Sequence, residues 1–301
     1  MHAVAVCQTT DRAQGVALAM AALAKSPDTF EIKGRRVFLK PNFNTADPAP
    51  GSTDNQTLLA LVDQLWAAGA ASITLGERSW QNTHRVIEDK KILPPLKEKG
   101  VEVIVFDDLP SADWVEIKTP SHHWPEGFKV ARPILEADCL VETCCLKTHA
   151  YGGVITMSLK LAVGVLPGNG QDPRYMQALH SSPQQRRMIA EINTAFRPEL
   201  VVLDGVDAFV DGGPMSGQRA RGNLMLAGVN RVAVDAVGVA CLKRLGANRS
   251  IMERPIFQQE QIAAAVELGL GPAGPGGVEL AAADPGSLEL TAALRSILDQ
   301  G

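Results

Sequence analysis

Short apolar runs alternate with stretches of helical apolar spacing along most of this chain, and that alternation points to an α/β architecture. Val37-Phe38-Leu39-Lys40 reads as a strand closed by Pro41-Asn42. Residues 54 to 68 place Leu58, Leu59, Leu61, Val62, Leu65 and Trp66 at helical spacing, with Gly69 as a stop. Ser72-Ile73-Thr74-Leu75 is a second strand broken by Gly76, 85 to 98 is helical, and 101 to 106 is a third strand ending at Asp107-Asp108. Trp114-Val115-Glu116-Ile117 alternates like an edge strand, Cys139 to Leu146 reads as a buried strand, and Ile155 to Val165 as a helix closed by Pro167-Gly168. Another helix covers 183 to 196, with Pro183 in its first turn. Leu200-Val201-Val202-Leu203 is an apolar strand ended by Asp204-Gly205; 223 to 227 is a further strand and 232 to 245 an apolar helix. The expected fold is a largely parallel, Rossmann-like layered sheet with helices on both faces. It is expected to form one domain over residues 1–301, with an inserted lobe or lid within 110–132 and 165–182. No internal repeat of fixed period is present.

Composition narrows the function classes. At 301 residues and 46% hydrophobic content, the chain can bury a large core without metal or disulfides. Its 29 basic and 33 acidic residues give a formal charge of −4 with no basic run, so nucleic acid is not an expected partner. No apolar stretch approaches the roughly 20 residues that span a bilayer, so no membrane partner is expected. The start, Met1 to Cys7, lacks a basic segment and an apolar run of signal length, so no export signal is read. Five cysteines suit a reducing cytoplasm better than a disulfide framework.

The chemistry concentrates where strands are expected to end. In an open parallel sheet, ligands bind beyond the carboxyl ends of the strands. Four such ends carry polar groups: Lys40-Pro41-Asn42, Gly76-Glu77-Arg78-Ser79, Lys147-Thr148-His149 and Asp204-Gly205. Lys147 and His149, two apart on an extended exit, point to one side and can address one substrate, lysine as an electrostatic clamp and histidine as base or metal ligand. A solvated lysine and a helix-capping histidine are the plainer alternative. Lys160 lies in an apolar run, where burial is costly unless it is paired or faces a cavity; snorkelling to the surface is the alternative. His180 follows a Gly- and Pro-rich loop and either folds back over the site or sits on the surface. Asp211-Gly212-Gly213-Pro214-Met215-Ser216-Gly217 reads as an anion-binding nest of amides or as a plain hairpin turn. A mononuclear metal site from His149, His180 and Asp204, with Glu77 near, lacks any supporting ligand spacing. Adjacent Cys144 and Cys145 point to opposite faces and read as buried thiols; with no Cys-x-x-Cys pair, no intrinsic 4Fe–4S cluster is expected.

With these residues laid out, the chain resembles the DUF362 family, a prokaryotic group whose biochemical role is largely unassigned. The likeness rests on Leu39-Lys40-Pro41-Asn42, the 54–68 helix running into Ala68-Gly69-Ala70, and Leu146-Lys147-Thr148-His149. It continues through Ser158-Leu159-Lys160, Gly164-Val165-Leu166-Pro167, His180, Asp204-Gly205, Gly212 to Gly217 and Ala233-Val234-Asp235-Ala236. The family commonly has Lys-Asn where this chain has Lys160-Leu161, and an acidic then a small residue where it has Glu77-Arg78. Many members carry a ferredoxin-like segment with two cysteine-rich clusters, which this sequence lacks. The resemblance implies that Lys40, Asn42, Lys147, His149, Lys160, Asp204 and the 212–217 turn form one site; it supplies no reaction.

Three functions are carried forward. The first is an enzyme acting on a small anionic metabolite, most naturally a carboxylate, by acid/base chemistry with or without a divalent metal. Lys40 and Lys147 would hold the anion with Asn42, Glu77 and the Gly212, Gly213, Ser216 and Gly217 turn, while His149 moves a proton, oriented by Asp204 or Glu77 and aided by Lys160. The second is a redox or metal-handling protein serving a separate ferredoxin-type partner. The third is a non-catalytic anion-binding module.

Overall fold

The computed structural model describes residues 1–118, 123–151 and 154–301. Eleven strands are numbered here in chain order: β1 (His2–Gln8), β2 (Arg36–Lys40), β3 (Ser72–Glu77), β4 (Glu102–Val105), β5 (Trp114–Ile117), β6 (Phe128–Ala131), β7 (Cys139–Lys147), β8 (Leu200–Gly212), β9 (Gly217–Arg221), β10 (Leu224–Gly228) and β11 (Val278–Ala282). Nine of them form one sheet in the order β11-β1-β10-β8-β7-β2-β3-β4, with β9 paired to β8. The pairs β8/β7, β7/β2, β2/β3 and β3/β4 are parallel, as is β1/β11, while β10 runs antiparallel to both its neighbours. The sheet is mixed but mostly parallel, and β5 and β6 pair separately as a small antiparallel ribbon.

Side-chain alternation sets the layers. Val37, Leu39, Val141 and Val202 point to one face and pack under helices Arg12–Leu23 and Asn55–Ala67. Cys144, Leu146, Val201 and Leu203 point to the other and meet helices Arg231–Arg244, Glu260–Glu267 and Leu288–Gln300. Phe38 and Leu140, on that second face, lie under β5–β6 and helices Pro173–Ser181 and Gln185–Ile192. β7, central in the sheet, is buried over all nine residues, including Glu142, Thr143 and Lys147. The helices start on polar caps: Asp11 accepts from the Gln14 N–H, Asp54 from that of Gln56, and Asn230 from that of Ala233.

Several expectations shift. Asp204-Gly205 does not end its strand, because β8, 13 residues long, runs on to Gly212. The 85–98 stretch is two helices, Thr83–Asp89 and Leu93–Glu98, the second with Pro94-Pro95 in its first turn. The 155–165 helix is one α-turn, Met157–Leu161, followed by a 3₁₀ turn at Ala162–Val165. β1, β11 and helix Arg12–Leu23 carry no anticipated signal. Within 110–132 the β5–β6 ribbon stands where a lobe is expected, and residues 119–122 of that stretch lie outside the described residues. Within 165–182 stands helix Pro173–Ser181. No helix among the described residues is long and apolar enough to cross a membrane.

Candidate functional site

Because β2, β3, β7 and β8 are mutually parallel, Lys40, Glu77, Lys147 and the residues after them arrive at one edge of the sheet. Three lysines meet there in different states. Lys40 is buried and donates to Glu77 Oε1 at 2.5 Å and to the Pro41 carbonyl at 2.8 Å. Glu77 also accepts the Arg78 N–H on Oε1 at 2.8 Å and the Phe43 N–H on Oε2 at 2.7 Å. This ion pair is therefore internally satisfied and ties the ends of β2 and β3 together. Lys147, equally buried, donates to the carbonyls of Gly51 at 2.6 Å and Pro214 at 3.2 Å, and burial pushes its pKa down.

Lys160 differs from both. It is partly accessible, and its ammonium makes no hydrogen bond or ion pair with any described residue. Burial, followed by the charges of Arg186, Lys147 and Arg78, brings its pKa down to about 7. Among the described residues, no carboxylate hydrogen-bonds Lys147, Lys160 or Arg78. Arg78 donates to the Val163 carbonyl at 2.9 Å and leaves its buried Nε unpartnered. Arg186, on helix Gln185–Ile192, donates to Gln185 Oε1 at 2.8 Å and to the Tyr151 carbonyl at 3.3 Å; burial lowers its pKa to about 10. In a chain of net negative charge, positive groups have been gathered at one sheet edge.

His149 sits beside these cations. The residue is 7% exposed, its Nδ1 is buried without a partner, and its ring stands nearly perpendicular to that of Tyr151 with centroids 6.1 Å apart. Burial, then the field of Lys160, Arg186 and Lys147, lowers its pKa to about 2, so the imidazole is neutral at any ordinary pH. Asn42 is partly accessible; its N–H donates to Thr53 Oγ1 at 2.9 Å, and its carboxamide bonds no described residue.

The short helix carrying Lys160 is held from below. Its entry residue Met157 has φ +47°, unusual for a side chain of this size. Asp235, fully buried on helix Arg231–Arg244, accepts the Ser158 N–H at 2.8 Å and the Leu159 N–H at 3.0 Å. Burial pushes Asp235 up to about 7 against these donors. Asn193 Nδ2 adds a bond to the Leu159 carbonyl at 3.0 Å.

Several expected site residues play other parts. Asp204 does not orient His149: it accepts from Arg12 Nε at 2.9 Å, Thr57 Oγ1 at 2.6 Å and the Val206 N–H at 3.0 Å, on the face under helices Arg12–Leu23 and Asn55–Ala67. Glu77 does not orient it either, being occupied by Lys40 and two amides. Gly212 to Gly217 form the β8–β9 hairpin turn rather than an open nest, because the Gly213 N–H is taken by the Ser216 carbonyl at 2.7 Å. Gly213 has φ +80°, and a Cβ there would meet the Thr148 carbonyl oxygen at 2.2 Å, so the turn braces the segment bearing His149. His180 is exposed on helix Pro173–Ser181, with Nδ1 against the Met176 carbonyl at 2.8 Å. His149, His180 and Asp204 do not converge on a metal, and no group of three or more His, Cys, Asp or Glu among the described residues could hold one. All five cysteines are free and buried. Arg186 and Asp235 were missed as site residues: Arg186 looks like one charge among several on an amphipathic helix, and Asp235 serves the site through a backbone it holds rather than a ligand. A groove of about 720 Å³ lined by Thr10, Gln56, Asp63 and Lys99, among others, shares no residue with this cluster.

The fold is that of an α/β protein with a group of cationic side chains at the carboxyl ends of its parallel strands. The chain belongs to the DUF362 family, described as a domain of unknown function, whose model matches residues 37–240. A thylakoid-associated protein of Synechocystis is 26% identical over 210 residues, 69% of this chain and 63% of that protein. The chain thus matches less than two thirds of that relative's length. The lactate racemase apoprotein of Thermoanaerobacterium thermosaccharolyticum aligns at TM-score 0.42 and 15% identity, over 68% of this chain and 50% of its own.

Proposed function

We propose that this chain is an enzyme that binds a small carboxylate at the strand-end crevice and moves a proton at it, with Lys160 as the base. The observation supporting this is Lys160 itself: a partly accessible residue whose amine has no partner among the described residues and feels the charges of Arg186, Lys147 and Arg78. A carboxylate entering there relieves the repulsion among cations, and the low-dielectric setting strengthens the attraction. With a pKa near pH 7, the amine takes a proton from a carbon next to the carboxylate and returns it; the surrounding positive charge stabilises the carbanion formed in between. His149 contributes a neutral imidazole as a hydrogen-bonding group. Lys40 and Lys147, anchored to protein acceptors, contribute field rather than direct contact.

The test combines calorimetry with proton exchange. Lactate, malate and succinate are titrated into the chain, and the ligands are then incubated with it in deuterium oxide and followed by NMR. Binding by the wild type, with deuterium incorporated next to the carboxylate and lost in Lys160→Met, is the expected result. Binding without exchange would favour the non-catalytic anion-binding module, and no binding would remove the reading. A role alongside a separate iron–sulfur partner draws on none of these residues.

A further inference from the structure

The sheet edge holds three lysines of unequal freedom, and the inequality bears on chemistry beyond proton transfer. Lys40 Nζ is pinned by Glu77 and the Pro41 carbonyl, and Lys147 Nζ by the Gly51 and Pro214 carbonyls. Lys160 Nζ has no such partner among the described residues, and the residue, partly accessible as a whole, is carried on a one-turn helix clamped by Asp235 and Asn193. A neutral imidazole, His149, stands close enough to feel its charge and has an unpartnered ring nitrogen. An amine surrounded by other cations is deprotonated more readily and becomes a nucleophile toward carbonyl carbon.

We infer that Lys160 forms an imine with a 2-oxo carboxylate held by the neighbouring cations. This rests on the reading that the crevice binds a carboxylate, and it names the substrate class. The nitrogen lone pair attacks the keto carbon, a C–N bond forms, and the keto oxygen takes up a proton to give a carbinolamine. Loss of that oxygen as water breaks the C–O bond. Overall, one amine, one ketone and one proton from solvent yield one iminium and one water, with no oxidant or reductant. The pKa of about 7 leaves much of the amine unprotonated at neutral pH, whereas an ordinary lysine is almost entirely ammonium. The carboxylate next to the keto group places its charge toward Arg186, Lys147 and Arg78.

The test uses the full chain with pyruvate, 2-oxoglutarate or glyoxylate as probe, and sodium cyanoborohydride to reduce any imine to a stable secondary amine. Peptide mass mapping then locates the adduct. The expected result at pH 7 is modification of Lys160 on the order of tenfold faster than any other lysine, with Lys40 and Lys147 unmodified. Excess succinate should slow it, and Lys160→Arg should abolish it while keeping the charge. Modification spread over surface lysines with Lys160 spared, although calorimetry shows the 2-oxo acid binding, would overturn the imine and leave the proton-transfer reading standing. Failure of every carboxylate to bind would overturn both.

Discussion

Asp235 Oδ1 accepts both the backbone N–H of Ser158, at 2.8 Å, and its hydroxyl, at 2.5 Å. One carboxylate on the long core helix thereby fixes the start of the short helix that presents Lys160. Asp235→Ala leaves two buried N–H groups without acceptors and is expected to cost about 2–4 kcal/mol in urea denaturation. Asp235→Asn, which keeps one acceptor, should cost less and lower carboxylate affinity without shifting its pH midpoint.

Carboxylate affinity should depend on pH through Lys160. A bound anion favours the ammonium, so affinity for succinate is expected to fall as pH rises through about 7, read by calorimetry between pH 6 and 8.5. Lys160→Met should remove that step. His149→Gln should leave the midpoint in place, because the imidazole, with its pKa lowered to about 2, carries no charge in this range.

Stability should carry the opposite signature. Lys160 holds its proton less tightly in the fold, at about 7, than in the unfolded chain, at the ordinary 10.5. Between those values the unfolded chain binds more protons, so stability rises with pH. Lys160→Met is expected to raise stability at pH 6 by about 1–2 kcal/mol, a gain fading toward pH 10 in denaturant titrations.

Breaking the Lys40–Glu77 pair should be costly. Glu77→Gln strands a buried ammonium and weakens the acceptor of two backbone N–H groups, so a loss of about 3–5 kcal/mol in chemical denaturation is expected. Pairing it with Lys40→Met should recover part of that loss. Recovery fails to appear if the two side chains act independently.

Gly213→Ala should disturb the site from outside it. The new Cβ meets the Thr148 carbonyl oxygen at 2.2 Å in a left-handed backbone, at a cost of about 2 kcal/mol or more. The displaced segment carries His149, so carboxylate affinity should fall together with Tm.

Periodicity and burial cost were enough to place the architecture and the edge where Lys40, Glu77, Lys147 and His149 emerge, since both are local properties of the chain: Val37 and Leu39 must face a core, and a parallel strand must end somewhere polar. β1 and β11 escaped notice because their short small-residue runs, such as Ala3-Val4-Ala5, become strands through pairing with distant partners. The state of each charge lay beyond reach for the same reason. Lys40, Lys147 and Lys160 look alike in one dimension, yet the first meets Glu77 across 37 positions, the second meets Gly51 across 96, and the third meets no acceptor among the described residues. Asp204, polar after an apolar run, imitates a strand end, but β7 and β10 pair with β8 at that residue and Arg12 and Thr57 claim its carboxylate. Hydrogen-bond partners and electrostatic fields depend on distances through space, which residue order constrains only after the chain has closed on itself.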